Sequence, residues 1–535
     1  MSILATPQMF TDPVVGPDFF GRDEVLKLLL KRALSLRQGY RQNVAVLGSE
    51  LIGKSSLLQH FMLHFQDPET LVIYIELKGN ESFDELVTRF VTNVLHSFEQ
   101  HAPKTALWIR SLLEKRPRLK PRESFVMLLE IPSRLWKETG KYVILILDEF
   151  DRLLRFGIEE PFAELGKQIM IQKETMYLLA SSQVTLAQTI LRQRLSLLFG
   201  HFETVTLEPF NPKVASEYLE KKWHLGALDS HAKQFLISLT GGHPFYLNAV
   251  GGHLSSYSPS DLRDPSKSVI PVMEKLLFSA QGILNQYFTK RLDHILSSDD
   301  SGKCRVILQA LSKKAHTSQE IRRLFKSAKE VRSKLTRLME SGVLSQHGVF
   351  FRMSDHLFAF WLESCFKRKT DILVRNISEQ SLEFREETEE VMRHFTEQLK
   401  KDPPEKILEL FSSFKGEMIE IDQKAHRLPH FSDVRLYNGK KGELLIIASK
   451  EKGNWVTSFF EREVTEEDIF EFLRQCDRLK RPIHQKVLIP VGGIHENARL
   501  LAKKERLWTW ELGHVNMLLD IFGHGPVLTQ GDRHG

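Results

Sequence analysis

From Asn43 to Phe210 short apolar runs alternate with longer amphipathic stretches. Val44–Leu47, Leu71–Leu77, Tyr142–Leu147, Tyr177–Ala180 and Thr204–Leu207 read as strands buried within a sheet. The stretches between them are long enough to hold crossover helices, so the strands are expected to run parallel. After Glu208-Pro209-Phe210 the strands stop, and helical periodicity continues to about Leu296, broken by a Ser/Pro-rich loop from Ser255 to Pro271. Ser297 to Gly302 reads as a linker, Cys304 to Phe366 as a small helical unit closed by a hairpin, and Lys367 to Leu382 as a charged helical spacer. A Glu-rich helix from Phe384 to Leu399 opens a mixed α/β region that lasts to about Phe522. The tail from Gly523 has no apolar period and is expected to fray. The resulting division is 1–208, 209–296, 303–366, 383–522 and a tail, 523–535.

Composition agrees with several folded units. The 535 residues suggest three or four domains at roughly 100–200 residues each. A chain 42% hydrophobic and 27% charged is not disordered as a whole. Lys and Arg exceed Asp and Glu by 74 − 68 = 6, which permits a nucleic-acid partner without demanding one. Three cysteines, Cys304, Cys365 and Cys476, are odd in number and far apart, so neither a disulfide framework nor a zinc site is expected. The 21 histidines show no metal-binding spacing either. The opening residues lack a basic, apolar leader. The longest apolar run, Tyr142–Leu147, is far below the roughly 20 residues a spanning helix needs. A soluble cytoplasmic protein with no membrane partner is the expectation.

The sharpest chemical signal is Gly48-Ser49-Glu50-Leu51-Ile52-Gly53-Lys54-Ser55, a G-x-x-x-x-G-K-S loop between a predicted strand and a helix that starts at Ser56. Glycines let backbone N–H groups converge on a phosphate, Lys54 adds a point charge for the β- and γ-phosphates, and Ser55 offers a hydroxyl to Mg2+. The helix N-terminus adds a partial positive charge. The buried strand Tyr142–Leu147 ends in Asp148-Glu149, and acids at such a place are costly unless they face a cation or a cleft. Asp148 is expected in the magnesium shell and Glu149 on the attacking water, with Lys54 the third catalytic group. At the end of the next strand, Ser181-Ser182 either contacts the γ-phosphate or starts a turn. Both readings stay open.

These residues resemble P-loop ATPases of the AAA+ and STAND group, in particular the archaeal-type ATPase family, whose members often add a winged helix and a nuclease-like domain. The likeness is strongest from Phe19 to Leu247. Phe19-Phe20-Gly21-Arg22 is similar to the family's F-x-G-R element, which lies against adenine. Thr240 to Leu247 is similar to the G-x-P segment of the helical lid, which implies that Pro244 approaches the nucleotide. Where the family commonly has Gly-Arg this chain has Gly200-His201, so Arg192 or Arg194 would have to supply a finger arginine, and slow hydrolysis is expected.

Thr317-Ser318-Gln319-Glu320 is a capping-box pattern, and Ala328–Glu340 follows as a second helix with Val331, Leu335 and Leu338 on one face. Lys329, Arg332 and Arg337 lie towards the opposite face, with Lys334 at its flank. Val343-Leu344-Ser345 and Val349-Phe350-Phe351 read as a two-stranded wing, so duplex DNA is a candidate partner of a winged helix-turn-helix. In the C-terminal region, strands at Met418–Ile421, Asp433–Tyr437 and Leu444–Ala448 resemble a PD-(D/E)xK nuclease fold, with Asp433 as the first acid and Lys450 as the terminal lysine. The second acid falls on Ala448, so a degenerate domain without cleavage is expected. Taken together, the expectation is an α/β P-loop NTPase with parallel sheet and helical lid, followed by a winged helix-turn-helix and a small restriction-endonuclease-like domain. It would bind and hydrolyse ATP with Mg2+ and couple nucleotide state to DNA, a protein partner or self-association. An ATP-gated nuclease and a protein-only signalling or scaffolding ATPase are the alternatives.

Overall fold

The computed structural model describes residues 12–79, 81–98, 102–115, 120–195, 202–296, 301–325, 328–366, 376–422, 424–438, 444–451, 453–479 and 481–527. The chain divides into two compact units. One comprises the residues up to Pro209 with His243–Phe245, the other Phe210–Gly242 with Tyr246 onward.

The first unit is built on five strands: β1 (Asn43–Leu47), β2 (Thr70–Glu76), β3 (Tyr142–Asp148), β4 (Thr175–Ser181) and β5 (Phe202–Thr206). All five predicted strands form, and they pair in parallel in the order β2-β3-β4-β1-β5. The central strands β1 and β4 are buried along their whole length, which is why their sequences do not alternate. Their side chains still alternate between two cores. Ala45 and Leu47 join a layer with Phe90, Leu129 and Phe162, whereas Val44 and Val46 join Leu29, Leu57 and Phe61 on the other face. The order places the C-terminal ends of β3, β4 and β1 side by side. The chain also changes direction across the sheet there, since β1 leads to β2 on one side and β4 leads to β5 on the other. Ligands bind at such switch points in open parallel sheets.

The second unit begins with helices at Pro212–Trp223, Ser230–Thr240 and Ile283–Leu296, among others. Helices Ser301–Lys313, Ser318–Arg323 and Ala328–Glu340 then pack with a three-stranded antiparallel sheet, β6 (His316–Thr317), β7 (Leu344–His347) and β8 (Phe350–Met353), in the order β6-β8-β7. Thr317 and Glu320 close their capping box at the start of the second of these helices. The Glu-rich helix is longer than its periodicity suggests: it runs from Ile377 to Lys400, capped by Asn376.

The C-terminal region contains a hairpin, β9 (Met418–Ile421) with β10 (Lys424–Arg427), and a mixed five-stranded sheet. That sheet is β11 (Asp433–Asn438), β12 (Leu444–Lys450), β13 (Gly453–Phe460), β14 (Ile483–Pro490) and β15 (Trp508–Thr509), in chain order. The first three strands are antiparallel, and β14 and β15 add in parallel after the helices Glu466–Asp477 and Glu496–Lys504. Of the tail, Val527 is buried and exchanges two hydrogen bonds with the Asn516 side chain, while 528–535 lie outside the described residues. No helix among the described residues is long and apolar enough to cross a membrane.

Candidate phosphate-binding site

The loop Gly48–Gly53 joins β1 to the helix Lys54–His64, and its backbone needs the residues it has. Gly53 sits at φ +100° as the N-cap of that helix, a conformation that suits glycine. A Cβ on Gly48 would lie 2.9 Å from both the Leu207 carbonyl oxygen and the Ile52 side chain. Lys54 is 4% exposed. Its ammonium donates to the carbonyls of Gly48 (3.1 Å) and Ser49 (2.9 Å) and to the Ser182 hydroxyl (2.8 Å), with Glu149 Oε1 at 3.8 Å. Burial lowers the Lys54 pKa, and the nearby carboxylates of Glu149 and Asp148 oppose that shift.

The two acids at the end of β3 play different parts. Asp148 is fully buried, and its Oδ2 accepts hydrogen bonds from the Ser55 hydroxyl (2.6 Å) and the Tyr74 hydroxyl (2.8 Å). Its Oδ1 is buried with no hydrogen-bond partner. An orphaned carboxylate oxygen beside a serine hydroxyl suits Mg2+, which takes one or two protein oxygens and completes its shell with phosphate and water. Among the described residues no cluster of three or more His, Cys, Asp or Glu could hold a metal, so Ser55 and Asp148 would need the nucleotide's own oxygens. Glu149 has φ +58°, and its carboxylate accepts from the Ser182 amide (3.0 Å) and the Ser182 hydroxyl. Ser182 therefore bridges the lysine and the glutamate.

Burial raises the Asp148 carboxyl above its ordinary value, more than the Ser55 and Tyr74 hydroxyls pull it down. A raised pKa keeps the group protonated to a higher pH, where it cannot ligate a cation. If Asp148 ligates Mg2+, nucleotide affinity with magnesium falls on acidification at a pH above the ordinary aspartate value of about 3.9. Calorimetric titration of Mg-ADP at several pH values checks this. Asp148→Asn should be weak and flat with pH, and a pH-independent wild type would remove Asp148 from the metal shell.

The segment before the first long helix lies along the phosphate-loop helix. Val14 donates its amide to the Ser56 hydroxyl at 3.0 Å, and Gly16 donates to His60 Nδ1 at 3.1 Å. Phe19 stacks on His60 at 4.0 Å. Gly21 and Arg22 both have φ +67°, Arg22 caps the helix Asp23–Leu36, and burial lowers its pKa against the charge of Glu208. Phe20 is half-buried in the same turn. A cavity of about 690 Å3 is lined by Gly16, Phe19, Gly21, His60 and His64. His60 lies six residues beyond Lys54, roughly 9 Å along the helix axis at 1.5 Å per residue. Pro244 opens a helix directly after His243, whose Nε2 lies 3.1 Å from the Glu50 carbonyl oxygen.

Sequence reasoning missed Tyr74, His60 and the buried pair of Asp151 with the Ser181 hydroxyl at 2.6 Å. Tyr74 alone left a signal, as a hydroxyl inside the apolar stretch Leu71–Ile75 of β2. Leu198 to His201 lie outside the described residues, while Arg192 and Arg194 are exposed on the π-helical turn Ile190–Arg194.

Two further candidate groups come out differently. Lys329 and Arg332 are exposed on the helix Ala328–Glu340 and Lys334 is half-buried, but Arg337 donates to the Ile295 carbonyl at 2.6 Å. The pairing of Asp433 with Lys450 as a nuclease remnant needs correction. Asp433 is directly opposite Ser449, and opposed residues share a face of the sheet. Ser449 alternates with Ala448 and Lys450, so Lys450 points to the other face. Asp433 instead pairs with Arg435 at 2.7 Å.

No protein-family model matches the chain, and no curated protein matches it in sequence. Solved structures do match in fold. A Walker-type ATPase of Pyrococcus abyssi gives a TM-score of 0.50 at 18% identity, over 66% of this chain and 99% of that one. An ORC2 protein of Aeropyrum pernix, solved as ADPNP-ADP complexes, gives 0.45 at 14% identity, over 68% and 99%. The parallel sheet, its strand order and the likeness to the first of these structures give the chain the fold of a Walker-type P-loop ATPase.

Proposed function

We propose that this protein is a magnesium-dependent ATP-binding and ATP-hydrolysing switch. One observation carries the reading: at the ends of β1, β3 and β4, Ser182 joins Lys54 to Glu149 by hydrogen bonds, and beside this set Ser55 donates to Asp148. Gly48 to Ser56 would wrap the phosphates, and the cavity beside Phe19, Gly21 and His60 suits the base, at a distance along the helix that fits the length of a nucleotide. Mg2+ would be held by Ser55 and Asp148 and would neutralise phosphate charge when bound. Lys54 would leave its carbonyl partners for phosphate oxygens. The Ser182 hydroxyl, whose proton now goes to Glu149, would donate it to the γ-phosphate instead, and Glu149 then gains a route to the attacking water.

The second unit would read out this state. Its three helices and three-stranded sheet support a winged helix-turn-helix, and the β11–β14 order with a helix between β13 and β14 supports a nuclease-like fold. With Asp433 and Lys450 on opposite faces and Ala448 in place of the second acid, cleavage is not part of the proposal. Exposed Lys329 and Arg332 favour duplex DNA as the partner. The Pyrococcus ATPase aligns over 66% of this chain, so its likeness leaves part of the chain uncovered.

Steady-state ATP hydrolysis, with and without Mg2+ and with and without duplex DNA, tests the whole reading. Turnover that requires Mg2+ and rises with DNA is expected. No hydrolysis under any condition would reduce the site to nucleotide binding, and hydrolysis indifferent to DNA would point to a protein partner.

A further inference from the structure

We infer that the hairpin β7–β8 is an internal docking surface for the C-terminal region, and that a nucleic-acid duplex meets this unit through the helix Ala328–Glu340 and not through the hairpin. The inference rests on the DNA reading above for its second half only.

The contact is made by backbone first. The Val349 amide donates to the Met418 carbonyl of β9 at 3.0 Å. At the turn, Gly348 has φ +65°, and a Cβ there would lie 2.3 Å from the Met418 oxygen and 2.6 Å from Ile419 Cα. No side chain fits between the hairpin tip and β9. Phe350 follows and is 7% exposed, not against its own helices alone but in one core with Ile407, Phe411 and Ile419. Its ring meets Phe522 edge-on at 5.5 Å. Further along β8, Arg352 forms an ion pair with Asp520 of the helix Leu512–Ile521, and His356, just beyond the strand, approaches the same carboxylate at 3.6 Å.

Charge closes the argument. A duplex is a polyanion, and a protein segment that enters it needs free cations. From Leu344 to Met353 the chain offers one fixed cation, Arg352, and one imidazole, His347. Arg352 is spent on Asp520, and burial with the neighbouring Arg352 charge holds His347 below its ordinary pKa. By contrast Lys329 and Arg332 are exposed, as are Arg322 and Arg323 on the preceding helix.

Two measurements on the full chain test this. Lys329→Ala with Arg332→Ala should weaken duplex binding at least tenfold, whereas Gln346→Ala and His347→Ala should leave it within twofold. A tenfold loss in the hairpin variants would overturn the helix-only mode. Independently of DNA, hydrogen exchange should find the Val349 amide strongly protected, and Gly348→Ala or Asp520→Asn should speed its exchange at least tenfold. Fast exchange in the unaltered chain would overturn the docking. Absence of any duplex binding would overturn the DNA reading, while protection at Val349 would still uphold the docking.

Discussion

Lys54→Ala is expected to weaken nucleotide binding by at least an order of magnitude and up to the point of abolishing it. The ammonium sits 4% exposed where the loop carbonyls of Gly48 and Ser49, the Ser182 hydroxyl and Glu149 surround it. A phosphate entering this loop would exchange those carbonyl contacts for charge-assisted ones in a poorly solvated place. Truncating one partner of such a buried charge pair costs roughly 2–5 kcal/mol, or about 30-fold to several thousand-fold in affinity. Alanine leaves the backbone of the loop and the glycine conformations alone, so the effect should fall on the ligand and not on the sheet. It does strip Glu149 of its cation beside Asp148, so a modest loss of stability accompanies it. Calorimetric titration with ADP, paired with thermal unfolding of the empty protein, separates the two. Unchanged affinity would sink the assignment of the loop.

The part of the site that could be read from sequence is the part made by neighbours in the chain. Strand, loop and helix from Asn43 to His64 carry their own signals, and the acids Asp148 and Glu149 are marked by the apolar run before them. Contacts made across the chain were not legible. Tyr74 reaches Asp148 only because β2 lies beside β3, with Glu76 opposite Asp148. His60 meets Gly16 and Phe19 only because the segment from Val14 to Phe19 folds back over its helix. Neither fact has a local signature.

The C-terminal sheet shows the same limit in sharper form. Strand β13 is buried on both faces from Gly453 to Phe460, so its Thr457 and Ser458 break any apolar pattern and no strand was read there. Parity along one strand places Ala448 and Lys450 together, but the face of Asp433 depends on its pairing register with β12. A shift of one residue turns every side chain to the other face. The observed register, Asp433 opposite Ser449, separates the acid from the lysine.

Glu149→Gln should keep nucleotide binding and lose turnover. Glutamine preserves the size of the side chain and one carbonyl oxygen, so the Ser182 amide at 3.0 Å can still be accepted. What it removes is the negative charge that would polarise water, a contribution of roughly 10²–10⁴ in rate for general base catalysis. The same carboxylate is held by the Ser182 hydroxyl, which also receives the Lys54 ammonium, so with the site as described it is restrained and not poised. Ser182→Ala therefore provides the contrast. If the bridge restrains Glu149, removing the hydroxyl costs affinity for the γ-phosphate while turnover at saturation falls much less than in Glu149→Gln. Binding of ATP measured beside single-turnover hydrolysis distinguishes these cases. Normal hydrolysis by Glu149→Gln would take the residue out of the chemistry, and the neighbouring carboxylate of Asp151, 4% exposed and bonded to Ser181, would become the next group to test.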